Sequence, residues 1–121
     1  MNYTYDEICK EIELNPKNVS LTENLEERFK KAGLQEELIK LYKIAFIYNV
    51  EPRYFEKIGD LYNEIENYEE AINYYLNYCE SSKVTPEIYY KLADTFKKNN
   101  DLESHHACIE YAKKLELENG K

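Results

Sequence analysis

The chain has 121 residues, 43% of them hydrophobic, and a formal net charge of −8 at pH 7. A length of this order fits one domain that buries roughly two-thirds of the surface its unfolded chain exposes, so a core forms without staples. The charge argues against a nucleic-acid or anionic-membrane partner, because the field repels a polyanion.

Only 3 glycines and 3 prolines interrupt the chain, and 13 tyrosines dominate its aromatics. Such a composition suits long helices in thin layers, where a tyrosine buries its ring and keeps its hydroxyl wet. No apolar run is long enough to span a bilayer, and MNYTYDEICKEI lacks the apolar stretch of a signal peptide, so a cytoplasmic location is expected. Cys9, Cys79 and Cys108 are odd in number, far apart and without CxxC spacing, which points to reduced thiols rather than to a disulfide framework or a structural zinc site.

Taken in order, Thr4-Tyr5-Asp6-Glu7 has the form of a capping box, and Ile8, Ile12 and Leu14 continue a stripe until Asn15-Pro16 stops a short first helix. Ser20-Leu21-Thr22-Glu23 reads as a second capping box. Leu21, Leu25 and Phe29 recur at helical spacing until Gly33 offers a C-terminal cap. Leu34, Leu38, Leu41, Tyr42, Ala45, Phe46 and Tyr48 make the broad apolar face of a third, deeply buried helix. Pro52 suits the first turn of a fourth helix running to about Glu66. Asn67 caps a fifth, striped by Ala71, Tyr74, Tyr75 and Tyr78 until Ser81-Ser82. Thr85-Pro86 opens a sixth, which Asn99-Asn100-Asp101 separates from a seventh.

Residues 52–85 lie over residues 86–119 without a gap, pairing Phe55 with Tyr89, Ile58 with Leu92, Gly59 with Ala93, Tyr62 with Phe96 and Tyr75 with Ile109. Size is kept while identity is mostly lost, as a repeated packing requirement would leave it. IGDLY (58–62), YEEAINYY (68–75) and LADTF (92–96) resemble the tetratricopeptide repeat, whose pattern sets a small residue beside a large one in the first helix, an aromatic three residues on, and an alanine then an aromatic in the second. Gly59, Tyr62, Ala71 and Tyr75 fill these places in one copy, and Ala93, Phe96 and Ile109 in the other. His105 stands where the second alanine belongs. The resemblance implies an all-α, antiparallel helical-hairpin array, a TPR-like α-solenoid of about seven helices with right-handed curvature. Within a single domain, 1–18 would be an N-terminal half-repeat helix, 19–51 a degenerate hairpin about one residue short with Glu26 at the small-residue place, and 52–85 and 86–119 the two repeats.

Chemistry finds little support. No Ser/His/Asp set or Gly-rich phosphate loop is present, and the only histidines are the adjacent His105 and His106, so no enzyme and no cofactor are expected. Asp101, His105 and Cys108 share one helical face, yet a tetrahedral zinc site needs a fourth ligand that the sequence does not supply. The plainer reading has Asp101 capping the helix and His105 filling an interhelical gap.

The family resemblance implies instead a protein–protein interaction module, an adaptor whose first helices line a concave groove for a partner segment. Carried over, that groove holds Asn24 and Glu27; Arg53, Glu56, Lys57, Asp60 and Glu64; and Glu87, Tyr90, Lys91, Asp94 and Lys98. Lys57/Asp60 recurs as Lys91/Asp94, either as rungs of neighbouring hairpins or as ordinary surface pairs worth roughly 0.2–0.5 kcal/mol. Members that grip the acidic tails of chaperones use a carboxylate clamp; here Glu23, Glu27 and Glu87 would repel such a tail. The alternative is a self-associating module. Leu102, Ile109, Tyr111, Ala112, Leu115 and Leu117 are more apolar groups than one neighbouring hairpin covers, and Leu102, Ile109 and Leu115 would form the surface of a homodimer. Glu103, His106, Glu110, Lys113 and Lys114 would otherwise cover that face.

Overall fold

The computed structural model describes residues 4–13 and 19–120. Among them run α1 (Tyr5–Glu13), α2 (Val19–Ala32), α3 (Gln35–Tyr48), α4 (Arg53–Glu64), α5 (Tyr68–Ser81), α6 (Pro86–Lys98) and α7 (Leu102–Asn119), with no strand. No helix among the described residues is long and apolar enough to cross a membrane.

The helix starts follow from their side chains. Thr4 Oγ1 accepts from the Glu7 amide at 3.1 Å, Asn67 Oδ1 from the Glu70 amide at 3.4 Å, and Asp101 Oδ1 from the Ser104 amide at 3.1 Å. Each satisfies one of the amides a helix leaves unpaired at its N-terminus. Pro86 sits at the first position of α6, where its missing N–H is no loss. Two expected starts shift. Helix α2 already begins at Val19, so Ser20 carries helical backbone. Pro52 stands just before α4 rather than in its first turn. The expected stop at Asn15-Pro16 lies outside the described residues, as do the side chains of Ile12 and Leu21.

The helix ends share one device. Gly33, Glu66 and Asn100 adopt left-handed backbone with φ of 69°, 65° and 62°. The amide after each reaches back past the last turn: Leu34 to the Phe29 carbonyl at 2.9 Å, Asn67 to Tyr62 at 2.8 Å and Asp101 to Phe96 at 2.8 Å. This is the Schellman arrangement, which ends a helix and turns the chain sharply. Helix α4 therefore stops at Glu64, slightly earlier than its periodicity predicts. The turn falls in the same place in each of the three hairpins α2/α3, α4/α5 and α6/α7.

Successive helices pack on one another, with α3 against α4 and α5 against α6 joining the hairpins and α1 resting on α2 and α3. Ile8, Leu25, Phe29, Leu41, Tyr42 and Ile58 lie in one buried cluster and Ala71, Ile72, Tyr75, Ile88 and Leu92 in another; Tyr62 packs against both. The crossing of α4 and α5 is close because Gly59 has no side chain. A Cβ built there would stand 2.7 Å from Cε1 of Tyr75 and 2.8 Å from its Cδ1. In α6, Ala93 is fully buried in the equivalent place. His105 fits its alanine position through a hydrogen bond: its Nδ1–H donates to the Ala93 carbonyl oxygen at 2.7 Å.

Candidate functional site on the face of α2, α4 and α6

The first helices of the three hairpins are tied together by charges that cross hairpin boundaries. Lys57 of α4 reaches back to Glu26 of α2 at 3.6 Å, and Lys91 of α6 reaches back to Glu56 at 2.8 Å and Asp60 at 3.1 Å, both of α4. Lysine and acid lie 31 residues apart in both the Lys57–Glu26 and Lys91–Asp60 links. The lysines thus bridge neighbouring hairpins instead of pairing with the acid three residues on in their own helix. Burial pushes the Lys91 ammonium down, but its hydrogen bonds to the Glu56 and Asp60 carboxylates and their charge outweigh it and hold the group above the ordinary lysine value.

Tyrosines brace the same acids from behind. The Tyr75 hydroxyl, from α5, donates to Asp60 Oδ1 at 2.6 Å, and the Tyr42 hydroxyl, from α3, donates to Glu26. Burial first, and then the neighbouring carboxylate, raises both phenols far above their ordinary value, so both stay protonated donors. Glu26 stands at the crossing where α4 has Gly59, and the Tyr42 and Lys57 contacts explain how a carboxylate is accommodated there. Ile109 replaces the tyrosine in the last hairpin, and Asp94 pairs with Lys98 of its own helix at 3.1 Å.

Of the residues expected in the groove, Glu56, Lys57, Asp60 and Lys91 meet in this network. Glu64 accepts from the Gln35 side-chain amide at 2.8 Å, and Glu27 pairs with Lys31 at 3.0 Å. Arg53 turns aside, pairing with Glu51 and lying over the Tyr54 ring at 5.0 Å. The Glu116 carboxylate of α7 raises the Tyr90 phenol above its ordinary value, while Asn24 and Glu87 are exposed. Sequence reasoning missed Glu26, Tyr42 and Tyr75 as parts of this face, although the recurring lysine-to-acid separation could have found the first.

The α2–α4 crevice also holds a cavity of about 410 Å³, lined by Lys30, Gly33, Gln35, Leu38, Tyr42 and Leu61 together with Lys57, Asp60 and Glu64. One hairpin further on the crevice is bridged, because Asn63 Nδ2 donates to Thr95 Oγ1 at 3.1 Å and Thr95 is fully buried. No group of three His, Cys, Asp or Glu side chains among the described residues could hold a metal ion. Asp101 is engaged as the α7 cap, and its hydrogen bonds with Ser104 hold its carboxyl below the ordinary value. On the association surface expected along α7, Leu102 is exposed whereas Ile109 and Leu115 are half-buried.

No protein-family profile and no curated protein matches this sequence. Solved structures do match in shape. A crystal structure of MamA aligns with a TM-score of 0.72 at 17% identity over 92% of this chain and 66% of its own. MamA MSR-1 aligns with a TM-score of 0.73 at 13% identity, covering 95% and 67%. YrrB, a TPR protein with an unusual peptide-binding site, gives 0.68 at 17% identity, covering 93% and 58%. The chain spans about two-thirds or less of the length of these structures. Its helical hairpins, their shared left-handed turns and this likeness together establish that the chain has the tetratricopeptide-repeat fold.

Proposed function

We propose that this chain is a non-enzymatic protein-interaction module that receives a partner segment along the face of α2, α4 and α6. The observation that carries the reading is the ladder Glu26–Lys57 and Glu56/Asp60–Lys91, which fixes three helices into one continuous surface beside an open cavity. A surface set in place before the partner arrives spares part of the ordering cost of binding. The net charge of −8 favours a neutral or basic protein over a nucleic acid. The peptide-binding site named for YrrB belongs to a protein of the same fold and supports the class of function.

Panning a displayed peptide library against the full chain tests this. Selected peptides should lose affinity on Glu64→Lys and Asp94→Lys, both surface changes on this face. Retained affinity in both variants would overturn the reading. A second reading, self-association through α7, draws on Leu102 and Leu117, which are 55% and 73% exposed. Sedimentation that finds a dimer weakened by Leu117→Asp would favour it; a monomer at every concentration would remove it.

A further inference from the structure

Two residues that line the cavity differ from their counterparts one hairpin on. The Asn63–Thr95 hydrogen bond spans the α4–α6 crevice, whereas the equivalent places at α2–α4 hold Lys30 and Leu61, and a leucine has no hydrogen bond to give. Both line the open cavity, whose volume falls at the lower end of the roughly 300–1,000 Å³ of ligand pockets. Its apolar lining is Leu38, Tyr42 and Leu61; its acids are Asp60 and Glu64, one turn apart on α4 and so on one face.

Of the two acids in this lining, Asp60 is ion-paired with Lys91, whereas Glu64 has no ion pair among the described residues. Lys30 and Lys57, the lysines of the lining, lie 3.9 and 3.6 Å from Glu26. Glu64 is held in place by the Gln35 amide at 2.8 Å and keeps unused acceptor sites. Asp60 is fixed by Tyr75 and Lys91 with its side chain 42% exposed. An apolar lining beside a positioned carboxylate that has no ion pair, in a chain of net charge −8, is complementary to a long aliphatic stem ending in a cation.

We propose that this cavity anchors the bound segment by taking one arginine side chain, its stem along Leu38, Tyr42 and Leu61 and its guanidinium at Glu64. The planar fork can pair with a carboxylate through two parallel hydrogen bonds, which an ammonium cannot. The assignment rests on the reading of this face as a segment-binding surface, and the test keeps the two separable.

Nitrogen-15-labelled full chain is titrated with a short capped peptide carrying a central arginine, and with its citrulline, lysine and glutamate counterparts. Citrulline keeps the shape of arginine without the charge. The arginine peptide should shift the amides of Gly33, Leu38 and Leu61 and bind about tenfold or more tighter than the citrulline peptide. Glu64→Gln should abolish that difference, with the helical circular dichroism unchanged. Equal shifts for arginine and citrulline, tighter binding of the glutamate peptide, or no shift at these amides would overturn the arginine assignment. Display-selected peptides that shift α2, α4 and α6 away from the cavity would overturn it too, while the broader reading of the face stands.

Discussion

Gly59→Ala isolates the close approach on which the α4/α5 crossing depends. The new methyl carbon would lie 2.7 and 2.8 Å from Cε1 and Cδ1 of Tyr75. The ring has little room to yield, being 1% exposed and pinned by its hydroxyl to Asp60 at 2.6 Å. Overpacking of this kind costs about 1–3 kcal/mol. Alanine recovers roughly 1 kcal/mol over glycine in a helix interior. The net expectation is a loss of about 0–2 kcal/mol, from the difference of these two effects. Urea unfolding followed by circular dichroism measures it, and Tyr75→Leu supplies the control background. Without the ring, the same change should become stabilising, so the double-mutant cycle should give a coupling of about 1–3 kcal/mol. If Gly59→Ala alone stabilised the chain by about 1 kcal/mol, propensity would be acting without a clash. The crossing described above would then be wrong.

Three further outcomes follow from particular residues. Glu66 holds a left-handed φ of 65°, so Glu66→Gly should stabilise by roughly 1 kcal/mol in the same unfolding assay. Lys91→Met removes the α4–α6 rung; with the lysine side chain 39% exposed, the loss should be about 0.2–1 kcal/mol and should shrink in about 0.5 M salt. Burial first raises Tyr42, Tyr75 and Tyr89, the last pushed up to about 12. Their folded values exceed the unfolded value near 10, so the stability they contribute is complete below about pH 10 and falls as pH rises above it. Ultraviolet absorbance should show a set of tyrosines ionising only together with loss of helix; if all ionised near pH 10 in folded protein, the burial described here would be contradicted.

Much of the hairpin architecture was legible because it is written in local residues. Gly59 before Tyr62, the caps at Asn67 and Asp101, and Ala71 with Tyr75 each obey short-range geometry that spacing exposes. Glu66 was not legible, because glutamate carries no preference for left-handed backbone; the Schellman turn imposes it from the helix end on either side. Ser20 misled, since a cap-forming residue near a helix start does not say which residue is the first helical one. The ladder was hidden for another reason. Whether Lys91 pairs with Asp94 in its own helix or with Asp60 in the hairpin before depends on how the hairpins stack, which local spacing does not encode. The cavity depends likewise on a comparison between crevices, Lys30 and Leu61 against Asn63 and Thr95, that becomes visible only once the helices are side by side.

Mapping a display-selected peptide by amide shifts on the labelled full chain tests the functional account most directly. Shifts should concentrate on α2, α4 and α6, strongest at Gly33, Lys57, Leu61 and Lys91. Shifts confined to the outer side of α7, around Leu102, Tyr111 and Leu117, would contradict it.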